Sequence, residues 1–89
     1  MNEKKVFSAG TDSKGDAIVV VSKGFGQREV IIESSVIKLF EKQMLKSIND
    51  ILDSYHVNDV VIKLKDRGAL DYTIRARVEA AIILMQGGE

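Results

Sequence analysis

Apolar positions in the first part of the chain come in short β-branched runs; further on they switch to helical spacing. Val6 to Ala9 reads as a short edge strand. Asp16 to Lys23, DAIVVVSK, is dense in Val and Ile, which suit a pleated, half-buried surface. Gln27 to Ser34, QREVIIES, reads as its antiparallel partner. Gly24-Phe25-Gly26 between them reads as the turn of a hairpin, with glycine free to take positive φ. From Val36 onward, apolar residues fall at 36, 37, 40, 44, 48, 51, 52 and 55, which predicts a helix ending near Tyr55 or His56. Ser34 or Ser35 ahead of it offers a capping hydroxyl. Asn58 to Lys65 sets Val60, Ile62 and Leu64 against Val61, Lys63 and Lys65, the alternation of a strand. After a turn at Asp66-Arg67-Gly68, a second helix runs from Ala69 or Asp71 to Met85. It puts Leu70, Ile74, Val78, Ala81, Ile82 and Met85 on one side and closes at Gly87-Gly88.

The order β-β-β-α-β-α predicts an α+β fold, a two-layer sandwich whose two helices cover one face of an antiparallel-rich sheet. Its 89 residues suffice for one domain, 1–89, and are too few for two. So short a chain buries a small share of its surface and depends on a well-patterned core or a partner.

Composition narrows the function classes. Thirteen basic and thirteen acidic residues cancel, whereas a dedicated nucleic-acid binder usually carries surplus Lys and Arg to neutralise phosphates. No run approaches the roughly 20 apolar residues that span a bilayer, so no membrane role is expected. The opening Met1-Asn2-Glu3-Lys4-Lys5 lacks the apolar core of a signal peptide, which makes a cytoplasmic location the expectation. With no cysteine, disulfides and thiolate metal sites are ruled out, and no side chain can form a thioester.

Few residues suggest catalysis. His56 is the single histidine, at a helix end, with no cluster of ligands or partners about it. Asp71, Arg75 and Glu79 at i, i+4 and i+8 suggest an ion-pair ladder on a solvated face, with Arg77 on a different side. Either arginine is suited to a phosphate or a partner carboxylate. The loop Ala9 to Asp16, AGTDSKGD, lacks the GxxxxGK[ST] order and the following helix of a phosphate-binding loop. It remains an exposed turn with hydroxyls at Thr11 and Ser13, either a plain connection or a surface that a modifying enzyme can reach.

The stretch Asp66 to Ala81, DRGALDYTIRARVEAA, resembles the citrate lyase acyl carrier protein (gamma subunit) family, which carries D-K-G-A-L-D-C-x-x-R-A-R-x-E-A there. Ala9-Gly10-Thr11 matches that family's A-G-T, and Ser34-Ser35-Val36 leading to Phe40 matches its strand-to-helix passage. The likeness spans nearly the whole chain. It implies a non-catalytic carrier with a covalently attached 2′-(5″-phosphoribosyl)-3′-dephospho-coenzyme A, joined to a serine through a phosphodiester. The thiol of that arm would carry the acetyl or citryl group between the acetyl/citrate transferase subunit and the citryl lyase subunit. A prosthetic-group transferase is the further implied partner. The family's A-G-T-L-E-S-[SG]-D puts the serine four residues after the glycine, where Lys14 stands here. The resemblance therefore implies a slipped register with Asp12-Ser13 opposite Glu-Ser and Ser13 as the attachment residue, with Thr11 and Ser8 as the other hydroxyls. Lys14 beside it is a candidate contact for the phosphate. Tyr72 stands where the family often has cysteine. The alternative is an adaptor domain of the same fold that has lost the attachment serine.

Overall fold

In a computed structural model describing residues 5–34 and 38–88, the elements are β1 (Val6–Gly10), β2 (Ala17–Lys23), β3 (Arg28–Glu33), α1 (Lys38–Ser54), β4 (Val60–Asp66) and α2 (Asp71–Gly88). The expected order of elements stands, and the strands form one four-stranded sheet in the order β1-β2-β4-β3. The start of the first helix and the capping expectation at Ser35 fall outside the described residues. Ser34 is described, and its hydroxyl donates to Asp66 Oδ2 at 2.9 Å.

The hairpin expected between Asp16–Lys23 and Gln27–Ser34 does not form. β4 lies between β2 and β3, antiparallel to the first (Val21 opposite Ile62) and parallel to the second (Val30 opposite Ile62). The reason is burial. β4 carries Val60, Ile62 and Leu64 at essentially zero exposure, a row too apolar for a sheet edge, so it takes a central position. Gly24 to Gln27 then bridges two strand spacings, about 9.6 Å, well within the reach of four extended residues. It crosses the start of β4, where Gly26 N donates to Asp59 Oδ1 (2.7 Å) and Val60 N to Gln27 O (3.3 Å). The parallel β3–β4 pair needs a crossover, which α1 supplies.

Both helices cover the same face. Ala17, Val19 and Val21 of β2 and Val60, Ile62 and Leu64 of β4 meet Met44, Ile48, Ile51 and Leu52 of α1 and Ile74, Val78, Ala81, Ile82 and Met85 of α2 in one buried cluster. Each fully buried Ile, Leu or Val contributes about 1.5–3 kcal/mol. The opposite face, with Ile18, Val20, Ile31 and Lys63, carries no helix. Leu70, expected on the buried side of the second helix, is 61% exposed, because it precedes the first turn of α2 instead of belonging to it.

Two helix ends explain themselves. Gly87-Gly88 does not close α2 as expected; the helix runs through both, since its last turn crosses Phe7 of β1. A Cβ on Gly88 would fall 2.5 Å from Cε1 of that ring. At the end of α1, His56 takes φ +55°, His56 N donates to Asp53 O and Val57 N to Leu52 O. This is a Schellman stop, sealed by the buried Leu52 and Val57. Histidine there is strained, so His56→Gly is expected to raise stability by about 0.5–1 kcal/mol in urea unfolding, net of the entropy glycine adds to the unfolded chain.

Candidate functional site

Sequence directs attention to the β1–β2 loop, and the structure fastens that loop to α2 and to the β4–α2 turn. Asp16 is the anchor. Its carboxylate accepts from Arg77 Nε (3.0 Å) and Nη2 (3.0 Å), from Thr11 Oγ1 (2.7 Å) and from Ala17 N (2.7 Å). A planar guanidinium matches a carboxylate in this forked way, which fixes orientation as well as distance. Gly15 N donates to Arg67 O (2.7 Å) and Arg67 N to Asp16 O (2.9 Å), tying the loop to the turn before α2. Asp16 N donates to Ser13 O (3.0 Å), closing a β-turn whose third residue, Gly15, has φ +84°. Glycine takes that conformation without strain.

Gly10 makes the arrangement possible. At φ +98° it ends β1 with its Cα against the Ala17 carbonyl oxygen and the Arg77 side chain, leaving no room for a Cβ.

The arginine bond above all, then those from Thr11 and the Ala17 amide, hold the Asp16 carboxyl well below the usual carboxylate range; desolvation opposes them. The sign follows. A carboxyl whose folded pKa lies below its unfolded value of about 3.9 stabilises the fold fully above that value. This contribution is lost as the pH falls toward the folded value. Asp16→Asn is therefore expected to lower the melting temperature by several degrees at neutral pH. Its deficit relative to the native chain should shrink on acidification, as thermal scans across the acid range would record.

The candidate hydroxyls now differ. Thr11 Oγ1 is committed to Asp16. Ser8 lies on β1 opposite Val20, within the sheet. Ser13 opens the β-turn, exposed, and its hydroxyl has no hydrogen bond among the described residues. Lys14, at the corner of that turn, is exposed and faces a groove of about 660 Å³ walled by Glu33, Ser34, Lys65, Asp66, Arg67 and Gly68. Lys65 and Arg67 share the Asp12 carboxylate at 3.5 Å each, long and exposed contacts of little energetic weight. Asp66 is buried, and its oxygens are taken up by Ser34 Oγ, Gly68 N and Ala69 N, so it organises the turn.

The ladder expected on the second helix is absent. Asp71 accepts from Ser47 Oγ (2.8 Å) and Glu79 from Tyr55 OH (2.8 Å), while Arg75 pairs with neither. An exposed i,i+4 pair is worth only about 0.3–0.5 kcal/mol, and α1, packed alongside, with the turn that follows it offers well-directed hydroxyl donors. The bond to Glu79 holds the Tyr55 phenol above its usual range, with desolvation adding to it. His56 is exposed, and among the described residues no group of three His, Asp or Glu is placed to hold a metal ion. No helix among the described residues is long and apolar enough to cross a membrane.

Asp16, Asp66 and Arg67 were not singled out as site residues by spacing, and Arg77, expected as suited to a phosphate or a partner carboxylate, instead binds the chain's own Asp16. All four lie in the two stretches that carry the family likeness, Ala9–Asp16 and Asp66–Ala81. Residues 4–84 match the family model described as malonate decarboxylase delta subunit (MdcD), under the heading of acyl carrier proteins, and the chain belongs to that family. Its role is thus that of an acyl carrier.

Among curated proteins the chain is similar to the citrate lyase acyl carrier protein of Pectobacterium atrosepticum. The two are 40% identical over 81 residues, covering 91% of this chain and 84% of that one. It is also similar to the citrate lyase acyl carrier proteins of Lactobacillus acidophilus (38% over 81 residues, 91% and 84%) and Halothermothrix orenii (35% over 82 residues, 92% and 87%).

Proposed function

We propose that the chain is a single-domain, non-catalytic acyl carrier subunit of a cytoplasmic citrate lyase complex, bearing 2′-(5″-phosphoribosyl)-3′-dephospho-coenzyme A on Ser13. The observation that carries the attachment site is the contrast between neighbouring hydroxyls. Thr11 is bound into the Asp16–Arg77 bridge, and Ser13 stands exposed and free at the turn that bridge holds. In the attachment step, catalysed by a dedicated transferase, Ser13 Oγ bonds to the phosphorus of the donor. Its proton leaves, and the bond from phosphorus to the donor's leaving group breaks.

The residues present suit such a group. Lys14 follows Ser13 directly and supplies a cation beside the phosphodiester; Lys65 and Arg67 line the adjoining groove. When bound, the group supplies a thiol that carries acetyl or citryl, a sulfur that this cysteine-free chain cannot provide. A rigidly anchored loop presents that tether to the larger transferase and lyase subunits at an effective concentration in the millimolar range.

Citrate is favoured over malonate as the parent substrate because the curated relatives compared above are citrate lyase carriers, although the family description names malonate decarboxylase. The deciding experiment combines the loaded chain with the larger citrate lyase subunits and follows oxaloacetate. Citrate cleavage with the loaded chain and none with the unloaded chain is expected. Support of malonate decarboxylation, without citrate cleavage, would reassign the complex.

A further inference from the structure

Beyond Gly68 the groove of Lys14, Lys65 and Arg67, which Glu33 and Asp66 also line, meets a second cavity. This one is apolar, about 230 Å³, and lies between α1 and the turn before α2, lined by Phe40, Gln43, Met44, Leu70, Asp71 and Ile74. Gly68 lines both. The two cavities therefore succeed one another along the surface. Lys14, beside Ser13, lines the first together with Lys65 and Arg67; Gly68 joins it to the apolar recess, whose lining includes the exposed Leu70 (61%) and Phe40 (48%). Large apolar side chains left in water around an apolar recess mark a surface suited to a ligand.

The chemistry of this path runs in the same order as that of the proposed arm. From its point of attachment the arm carries a phosphodiester, a ribosyl-adenosine, a diphosphate, and finally a pantetheine, with two amides, a dimethyl-bearing carbon and the terminal thiol. Lys14 next to the attachment hydroxyl, and Lys65 and Arg67, whose contacts to Asp12 are long and exposed, complement the two phosphate regions, and the apolar recess complements the dimethyl group and the acetyl of the far end. We infer that the groove of Lys14, Lys65 and Arg67 and the recess at Met44, Leu70 and Ile74 form one continuous seat, on which the chain holds its own arm and shelters the acyl end between visits to partner subunits.

The inference rests on the carrier reading and adds to it a resting place and a preference. The recess is small and counts Asp71, whose carboxylate accepts from Ser47 Oγ, among its lining residues. It accommodates an acetyl thioester, whereas the carboxylates of a citryl group meet a like charge. The chain thus shelters the acetyl form and leaves the citryl form free for the lyase subunit.

The test uses the full chain, loaded by its transferase and acetylated, with loading verified by intact mass. The readout is the set of nuclear Overhauser contacts between the two pantetheine methyl groups and the side chains of Met44, Leu70 and Ile74. Contacts in the acetyl form, weakened in the citryl form and lost in Lys65→Gln/Arg67→Gln and in Leu70→Ser, are expected. Both variants alter exposed or half-exposed side chains, and unchanged amide spectra elsewhere confirm their fold. Perturbations confined to residues 11–16, with arm signals as narrow as those of free dephospho-coenzyme A, overturn the seat while leaving the attachment intact. If the transferase adds no mass, the carrier reading fails. The unmodified chain is then titrated with dephospho-coenzyme A, where saturable shifts at both Arg67 and Leu70 uphold the seat and their absence overturns it.

Discussion

Gly10→Ala is expected to lower the melting temperature by roughly 12–24 °C, corresponding to about 3 kcal/mol in a domain of this size. Two costs add. At φ +98° a Cβ is disfavoured by about 1–2 kcal/mol before any contact is considered. That Cβ would also be driven into the backbone carbonyl of Ala17, which no rotamer change can relieve, and would crowd Cδ of Arg77 at 3.1 Å. The strand end must then move, and the movement is transmitted to Asp16, whose carboxylate depends on Arg77, Thr11 and the Ala17 amide together. The variant should lose loading as well as stability. By contrast, Gly15→Ala meets only the conformational cost, since a Cβ there lies in open space. Thermal melts of the two variants side by side separate the effect of close packing from that of backbone conformation. Equal melting temperatures would contradict the account of Gly10.

Ser13→Ala should abolish covalent loading completely and leave the fold as it was. The hydroxyl removed is exposed and makes no hydrogen bond among the described residues, so stability should change by no more than about 0.5 kcal/mol. Thr11→Val is the informative companion. It removes the 2.7 Å bond to Asp16 and should loosen the loop, slowing loading without ending it. If instead Thr11→Val ended loading and Ser13→Ala did not, the attachment residue would be Thr11, and the Asp16 bond would be a feature of the unloaded chain alone. Mass spectra of the two variants, each co-produced with the transferase, make the comparison.

Much of the fold was legible because period-2 and helical spacing are local properties. The element order, the buried stripe of α2 from Ile74 to Met85 and the helix stop at His56 all follow from neighbours in sequence. What misled was adjacency. Gly24-Phe25-Gly26 carries every local sign of a hairpin turn, yet the competition that decides strand order is between β3 and β4 for a place beside β2. Burial of Val60, Ile62 and Leu64 wins it. The ion pairs failed for the same reason. Spacing on one helix predicted Asp71–Arg75–Glu79, but the donors that matter come from elsewhere: Ser47 from α1 and Tyr55 from the turn that follows it.

The candidate site was legible only in part. The family likeness directed attention to the loop at Ser13 and Lys14, and the structure explains why Thr11 and Ser13 are not equivalent. It could not be read from spacing that Asp16 and Arg77, 61 residues apart, form the bridge that holds the loop. Nor could the charged groove and the apolar recess be read from it, since their walls come from β3, α1 and the β4–α2 turn together.

The measurement that bears most directly on the carrier account is the intact mass of the native chain co-produced with its prosthetic-group transferase, followed by peptide mapping. A mass increase equal to one phosphoribosyl-dephospho-coenzyme A, located on the peptide bearing Ser13, is the predicted result. No increase, with the same transferase active on a control carrier, would contradict the account and make Lys14 the mark of a lost attachment site.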